Sequence, residues 1–458
     1  MEKEEIGIIL ENQQRWFREG NTLDTGQRLQ TLKKLRRLIL EHEQEIIEAI
    51  GKDFSKPAFE IIATETRFVV KEFNLAIRRL RKWSCPKRVW TPLVHFPASS
   101  RVEPHPYGQV LILSPWNYPF QLVFMPLLGA LAAGNTVIIK VSQQVPNTTK
   151  AMQKIFDHFP PELLTMINGD HSVSDYLLSQ KFDYIFFTGS TKVGKYVMKK
   201  AAENLIPLSL ELGGKNPCVI TEDARLGFAA KRVVWGKFMN AGQTCISPDY
   251  VLIDRKIRDR FLELMKNEIR SSYGVNPKES QNLARIINKE NTIRLSDLIK
   301  SGNVAIGGSA DPDQRYIEPT VLKDVKPEDP VMQEEIFGPV LPVIDYEEMN
   351  EVYDIISHHP KPLAVYIFTS SRKLAQEFIR KTQSGTAAIN DTVTQIASPY
   401  LPYGGVGPSG IGRYHGWKSF ETFSNMRSVA VKSNLIDLPV RYPPYTRFKE
   451  KLVKLVMR

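Results

Sequence analysis

The sequence predicts an α/β protein whose strands form parallel sheets. Short apolar runs from Val110 to Leu113, Val137 to Ile139 and Tyr184 to Phe187 alternate with helical stretches. That is the pattern of strands buried on both faces and joined by helical crossovers. From Asn216 to about Phe423 the alternation resumes, with runs Cys218 to Thr221, Val251 to Asp254, Val340 to Ile344 and Leu363 to Phe368. A second α/β domain is expected there. A length of 458 residues accommodates roughly two or three domains. With 42% apolar and 24% charged residues the chain is neither disordered, collagen-like nor a coiled coil.

The elements follow in order. Met1-Glu2-Lys3-Glu4-Glu5 is acidic, and no basic segment leads into an apolar run. No secretory signal is expected, and a cytoplasmic location with reduced thiols is. Leu29, Leu32, Leu35, Leu38 and Ile39 recur at helical spacing, so the first hundred residues read as helical with one buried stripe. From Arg78 to Arg88 there are six basic residues and no acid, and Trp90 to Pro106 has three internal prolines. This stretch reads as a connection or protruding ribbon. The apolar stretch from Phe120 to Ala133 follows Pro119 and is too short to cross a bilayer. In parallel sheets ligands bind beyond the carboxyl ends of the strands, so 115–117, 140–143 and 189–190 should share one edge.

Lysine plus arginine exceeds aspartate plus glutamate to give +11, which admits nucleic acid, an anionic membrane or a phosphate-bearing cofactor as partner. Residues 441–458 hold six basic residues and one acid, interleaved with Leu452, Val453, Leu455, Val456 and Met457. Such a tail suits a solvated terminal helix or a strap across a subunit interface; the sharper reading is peripheral contact with an anionic membrane surface.

Two glycine loops invite a nucleotide reading. Gly189-Ser-Thr-Lys-Val-Gly194-Lys195-Tyr196 lies between a strand and a helix, but Tyr196 occupies the position of the magnesium-binding hydroxyl. A nucleoside triphosphatase is disfavoured, whereas a pyrophosphate at the helix N-terminus is compatible. Gly405-Val-Gly407-Pro-Ser-Gly410 matches a dinucleotide fingerprint, yet no strand precedes it and Pro408 interrupts it. It reads as a loop shaped by packing.

The three cysteines, at 85, 218 and 245, form no C-x-x-C pair, so neither a disulfide framework nor a zinc site is expected. Cys218 lies in an apolar run and reads as a core residue. Cys85 sits in the basic stretch without an evident partner. Cys245 lies in a loop of small and polar residues, Asn240-Ala-Gly-Gln-Thr-Cys245-Ile-Ser-Pro248, and is a candidate nucleophile.

Five segments then appear in order: Pro115-Trp-Asn117-Tyr-Pro119, Phe187-Thr-Gly-Ser190, Glu211-Leu-Gly-Gly-Lys215, Gly242-Gln-Thr-Cys245 and Glu334-Glu-Ile-Phe-Gly-Pro339. Together they resemble the aldehyde dehydrogenase family over nearly the whole chain. The short N-terminus, residues 404–423 and Arg441-Tyr-Pro-Pro-Tyr445 are most similar to its dimeric class 3 branch.

The resemblance implies two doubly wound Rossmann-like domains with a small oligomerisation ribbon. Residues 1–82 and 105–210 would form the dinucleotide-binding domain and 211–423 the catalytic domain. Residues 83–104 and 424–458 would supply the ribbon and C-terminal strap of a homodimer. It also implies NAD(P)-dependent oxidation of an aldehyde to a carboxylic acid, with no metal. Cys245 would form a thiohemiacetal and then, after hydride transfer to nicotinamide, a thioester. The Asn117 amide and the Cys245 backbone N–H would form the oxyanion hole, worth roughly 3–4 kcal/mol per donor. Glu211 would be the general base that activates water.

For the cofactor, the resemblance implies that Lys140 bonds the adenine-side ribose, that Gly189 and Ser190 open the helix facing the pyrophosphate near Trp116, and that Val193 borders the adenine. Glu335 would hold the nicotinamide ribose beside Phe337. One position departs from the family pattern: Lys140-Val-Ser-Gln143 has a neutral side chain where the family often carries a glutamate. A carboxylate there would repel a 2′-phosphate. NAD is expected, with NADP also accepted.

Two other enzyme readings stand beside this one. An acyl-CoA-forming dehydrogenase would resolve the thioester by thiolysis, although Glu211 favours water. A cysteine hydrolase would pair Cys245 with a histidine, His415 being the nearest downstream candidate. A structural or binding protein would leave the filled catalytic positions unexplained. No arginine marks a carboxylate clamp, so a medium- to long-chain aliphatic or aromatic aldehyde is the expected substrate. No feature supports nucleic-acid binding.

Overall fold

The computed structural model describes residues 2–457. The chain opens with helices Lys3–Arg18, Thr25–Glu41, Glu43–Phe54 and Ala58–Ile61, the last running through a π-helical segment, Ile62–Thr66, into Arg67–Trp83. Asp24 caps the second of these by accepting from the Gln27 N–H at 2.7 Å. Leu32, Leu35, Leu38 and Ile39 are its buried stripe.

The helices end at Trp83, short of the first hundred residues, and the stretch read as a connection or ribbon follows. Lys87–Val89 and Ala98–Pro106 are strands of an antiparallel three-stranded ribbon completed by Ser424–Lys432. Residues 98–106 pair with 424–432 along their whole length. That long-range backbone pairing makes a strand of a stretch whose local pattern alone does not specify one. The strand also runs across the boundary drawn at 104/105.

The first large sheet has the order Gly410–Ile411, Leu208–Glu211, Tyr184–Thr188, Gln109–Ser114, Thr136–Val141, Leu164–Met166. All its pairings are parallel except the first. The chain enters at Gln109–Ser114, winds outward to Leu164–Met166, then returns to add Tyr184–Thr188 on the other side. The switch point of this doubly wound sheet therefore lies between the strands that end at Ser114 and Thr188. Every residue of Gln109–Ser114 and Thr136–Val141 is buried, as their unbroken apolar runs require.

The second sheet has the order Asn303–Ile306, Thr320–Lys323, Val340–Tyr346, Tyr250–Asp254, Pro217–Ile220, Ala364–Phe368, Thr386–Ile389. Only its first strand is antiparallel. Cys218 is buried within it.

The apolar stretch after Pro119 is helix Gln121–Ala133, buried along its whole length. Glu65 Oε2 accepts from the Phe120 N–H at 2.9 Å, satisfying a donor at its N-terminus. A Cβ on Gly129 would lie 2.9 Å from the Ser419 backbone oxygen, so this glycine admits helix Trp417–Thr422 at close range. In the 405–410 loop a Cβ on Gly405 would lie 1.9 Å from the Ser409 backbone oxygen, and Gly410–Ile411 pairs with the sheet edge. The loop is shaped by packing. The basic tail forms helix Arg447–Val456 with no buried residue. Among the described residues no helix is long and apolar enough to cross a membrane.

Candidate active site

The loop carrying Cys245 leaves helix Leu226–Phe238 through three left-handed residues, Asn240, Ala241 and Gly242. At Gly242 a Cβ would lie 2.3 Å from the Gly338 backbone oxygen, so only glycine fits. Amide side chains then hold the loop. Asn240 Nδ2 donates to the Asn117 and Gln243 backbone oxygens at 2.9 and 3.1 Å. Asn117 Nδ2 donates to the Gln243 oxygen at 3.1 Å, which uses one of its two N–H groups. Gln243 Nε2 donates to the Arg285 oxygen at 3.1 Å, and its Oε1 accepts from the Ile287 N–H at 2.9 Å. Asn216 Nδ2 donates to the Cys245 oxygen at 2.8 Å. A loop this fully bonded is preorganised.

Two cavities meet at Cys245. The first, of about 310 Å³, brings together Trp116, Asn117, Gly189, Ser190, Glu211, Cys245, Glu335 and Phe337. Trp116, Asn117, Gly189 and Ser190 follow the two strands at the switch point of the first sheet, where such sheets bind ligands. Ser190 caps helix Thr191–Glu203, its hydroxyl accepting from the Val193 N–H at 3.4 Å. The Trp116 and Phe337 rings meet edge to face at 5.5 Å. Three residues expected at the cofactor do not line this cavity. Lys140 is buried, with Nζ donating to the Val141 oxygen at 2.8 Å, while Gln143 and Val193 are exposed. All three lie on the same carboxyl edge of the sheet or on the helix opening beside it.

The second cavity, of about 150 Å³, lies on the other side of Cys245 among Phe68, Tyr118, Leu122, Trp235, Met239 and Ile396, and no charged side chain lines it. Leu122, Cys245, Tyr403 and Tyr414 border both cavities. The thiol thus stands where an apolar pocket opens into a polar one.

The electrostatics follow from burial. Glu211 ends strand Leu208–Glu211, and neither of its buried carboxylate oxygens has a hydrogen-bond partner. Burial pushes its carboxyl well above the ordinary range, and Arg413 opposes the shift. Burial and Asp249 push the Glu335 carboxyl up to about 8. A Cβ on Gly213 would lie 1.9 Å from Glu335 Oε2, so the bare backbone leaves room for this carboxylate. Burial pushes the Cys245 thiol up to about 12, against a hydrogen bond from Tyr403.

His415 does not face the thiol. Its Nδ1 lies 3.7 Å from Glu72 Oε1, and burial pushes its pKa down to about 3. The partner of Cys245 Sγ is Tyr403 Oη at 3.3 Å, so the cysteine–histidine couple of a hydrolase is not formed. Cys85 is exposed, with Sγ donating to the Arg81 oxygen at 3.1 Å.

Several supporting residues carried no expectation of their own. Tyr118 Oη and Thr244 Oγ1 are hydrogen-bonded at 2.7 Å. Lys215 Nζ donates to Asp249 Oδ2 at 2.5 Å and to the Val331 and Glu334 oxygens at 2.9 Å, and Asp249 Oδ1 accepts from the Ile336 N–H at 3.0 Å. Lys215, like Tyr118 and Thr244, lies inside one of the five motifs. Tyr403 lay in no motif.

The description "aldehyde dehydrogenase family" belongs to the family model that matches residues 1–429. The chain is 42% identical to 4,4'-diaponeurosporen-aldehyde dehydrogenase of Staphylococcus aureus, over 96% of each chain. It is 40% identical to the dimeric NADP-preferring aldehyde dehydrogenase of Canis lupus familiaris, over 96% of this chain and 98% of the relative. A solved structure of Staphylococcus aureus AldH in a substrate-bound state superposes with a TM-score of 0.97 at 41% identity, over 99% of both chains.

Proposed function

The chain belongs to the aldehyde dehydrogenase family, and from that premise we propose that it oxidises apolar aldehydes to carboxylic acids through an acylated Cys245. Its family 3 relatives place it with that branch. The observation that carries the reading is the position of Cys245 Sγ between a cavity without charged lining and a polar cavity holding Glu211, Asn117 and Glu335.

The polar cavity fits a nicotinamide dinucleotide. It offers a capped helix N-terminus for the pyrophosphate, and a half-buried carboxylate, Glu335, against the bare backbone of Gly213 for ribose hydroxyls. Gly189, Ser190, Trp116, Glu335 and Phe337 would hold the cofactor, with Lys140, Gln143 and Val193 toward its adenosine end. Bound there, it supplies the hydride acceptor.

The remaining work falls to side chains. The Cys245 thiolate attacks the aldehyde carbon and forms a thiohemiacetal. The second N–H of the Asn117 amide and the Cys245 backbone N–H hold the developing oxyanion. Oxidation leaves a thioester on Sγ. Glu211, buried and unpartnered, takes a proton from water as that water attacks the thioester carbon, and Cys245 leaves as thiolate. Phe68, Tyr118, Leu122 and Trp235 exclude bulk water from an aliphatic or aromatic substrate.

Finer readings follow. Residues 1–82 and 105–210 act as the dinucleotide-binding unit and 211–423 as the catalytic unit. Neutral, exposed Gln143 admits NADP beside NAD, in line with the name of the canine relative. Exposed Trp90, Leu93 and Phe96 on the ribbon suit a homodimer contact. The protein works in the cytoplasm, and its tail touches anionic membrane surfaces.

A steady-state scan over aldehyde chain length, with NAD and NADP and without coenzyme A, tests this function. Near-ultraviolet absorbance of reduced nicotinamide should rise, with kcat/KM increasing from short to medium chains. No rise with any aldehyde would end the proposal. Cys245→Ala should abolish turnover and leave cofactor binding intact.

A further inference from the structure

The hydrogen bond between Cys245 Sγ and Tyr403 Oη, 3.3 Å long, has no counterpart in the chemistry described so far. Tyr403 is fixed by its surroundings. Its backbone N–H donates to the Tyr414 oxygen at 3.0 Å, and its oxygen accepts from the Tyr414 N–H at 2.8 Å. Its ring packs edge to face on Tyr414 at 5.6 Å and lies 5.3 Å from the His415 ring. Only 4% of the residue is exposed. The phenol therefore cannot swing away, and it borders both cavities.

We propose that Tyr403 is a positioning residue for the nucleophile: its phenol holds the Cys245 side chain at the junction of the two cavities and donates a hydrogen bond to the thiolate that attacks the aldehyde. This rests on Cys245 being the nucleophile.

The chemistry supports the assignment of donor. A thiolate has lone pairs and no proton, so the proton in the bond must come from Oη. Burial holds the Tyr403 phenol well above its usual ionisation range, so the donor stays protonated wherever the enzyme works. The other titratable groups facing the sulfur are Glu211 and Glu335 and the phenols of Tyr118, Tyr366 and Tyr414. The two carboxylates, once ionised, oppose a thiolate. Tyr403 is the side chain that favours one. Hydrogen bonds to ionised groups are the strong ones, and they matter most in a buried site. The bond also restricts Sγ to one orientation, so reacting atoms are held and not searched for.

The test is alkylation of Cys245 by iodoacetamide as a function of pH, followed by mass spectrometry of the peptide that carries it, which separates it from exposed Cys85. Tyr403→Phe removes one oxygen and keeps the ring. Its profile should move up by about one to two pH units, and kcat/KM at neutral pH should fall roughly tenfold or more with KM for the cofactor unmoved. Tyr414→Phe removes a neighbouring phenol oxygen that has no partner and should leave the alkylation profile in place. If the phenylalanine variant melts early, Tyr403→Met replaces it, because a thioether fills the space without donating a hydrogen bond and the same upward displacement is expected. A Cys245 profile that superimposes on wild type in the folded variant overturns the proposal. Turnover retained by Cys245→Ala overturns the nucleophile reading itself, which keeps the two failures distinct.

Discussion

Lys56 Nζ lies 2.7 Å from Glu65 Oε1, and both side chains are fully buried. The pair joins the N-terminal helices to the segments around Cys245. Glu65 Oε2 accepts from the Phe120 N–H, and Lys56 Nζ stands 3.8 Å from the centre of the Tyr118 ring, whose hydroxyl bonds Thr244, the neighbour of Cys245. Removing one partner strands a buried charge. Lys56→Met should destabilise the fold by about 3–5 kcal/mol, read as an earlier thermal or denaturant transition. Adding Glu65→Gln should recover part of the loss. A single variant that unfolds with wild type would show that the pair is not load-sharing.

Glu211→Gln isolates the hydrolytic half of the reaction. The amide keeps the shape and cannot accept the proton from water. Attack on the aldehyde and oxidation should proceed once, giving a burst of reduced cofactor of one equivalent per site, with the steady rate reduced about 10²–10⁴-fold. Because burial raises the Glu211 carboxyl, the wild-type deacylation rate should climb with pH as that carboxyl ionises. A Glu211→Gln enzyme that turns over steadily without a burst would assign the base elsewhere.

Glu72 supplies a pH dependence of stability. Its Oε2 accepts from the Gly416 N–H at 3.0 Å, while His415 and Lys71 are the ionisable neighbours. Burial raises its carboxyl from 4.5 to about 7. The folded state therefore holds a proton that the unfolded chain releases. Stability from this group is complete below the unfolded value and is lost as pH rises through the folded one. Over that window the loss should reach about 2–3 kcal/mol. Glu72→Gln, which can still accept from Gly416, should flatten the decline between pH 5 and 7. Parallel wild-type and variant stability curves across that window would refute it.

Parts of the proposed site are legible in sequence where their constraints are local. Gly242 must be glycine at the turn before Cys245, Asn117 follows a buried strand, and Ser190 caps a helix. The buried strands announce themselves for the same reason, since both faces of Gln109–Ser114 are apolar. Contacts across large chain separations leave no such trace. Strand Ala98–Pro106 exists through its pairing with residues 424–432, and Tyr403 reaches Cys245 across 158 positions. Lys140 shows a third limit. Sequence places it at the sheet edge, but the burial that turns its Nζ to the Val141 oxygen is a property of packing.

Gln143→Glu tests cofactor choice. The side chain is exposed just beyond strand Thr136–Val141. A carboxylate there would meet a 2′-phosphate with like charge and accept from ribose hydroxyls instead. The variant should lose kcat/KM for NADP by roughly tenfold or more while holding or improving NAD. A wild-type enzyme that already excludes NADP, with the variant no different, would remove Gln143 from the selection.

The tail offers the last test. In helix Arg447–Val456 the Thr446 hydroxyl caps the start by accepting from the Lys449 N–H at 3.3 Å. Phe448, Leu455, Val456 and Met457 are exposed beside Lys449, Lys451 and Lys454. An apolar stripe flanked by lysines inserts shallowly into a headgroup layer, and each basic residue adds about 1 kcal/mol on an anionic surface. The full chain should co-sediment with phosphatidylserine-containing vesicles and not with neutral phosphatidylcholine, and added salt should weaken the binding. Removing residues 441–458 should abolish it while leaving aldehyde oxidation measurable. Equal pelleting of both chains would refute membrane contact. A truncated chain that instead elutes at a smaller size would assign the helix to a subunit interface, where its exposed apolar face would be covered by the partner and unavailable to lipid.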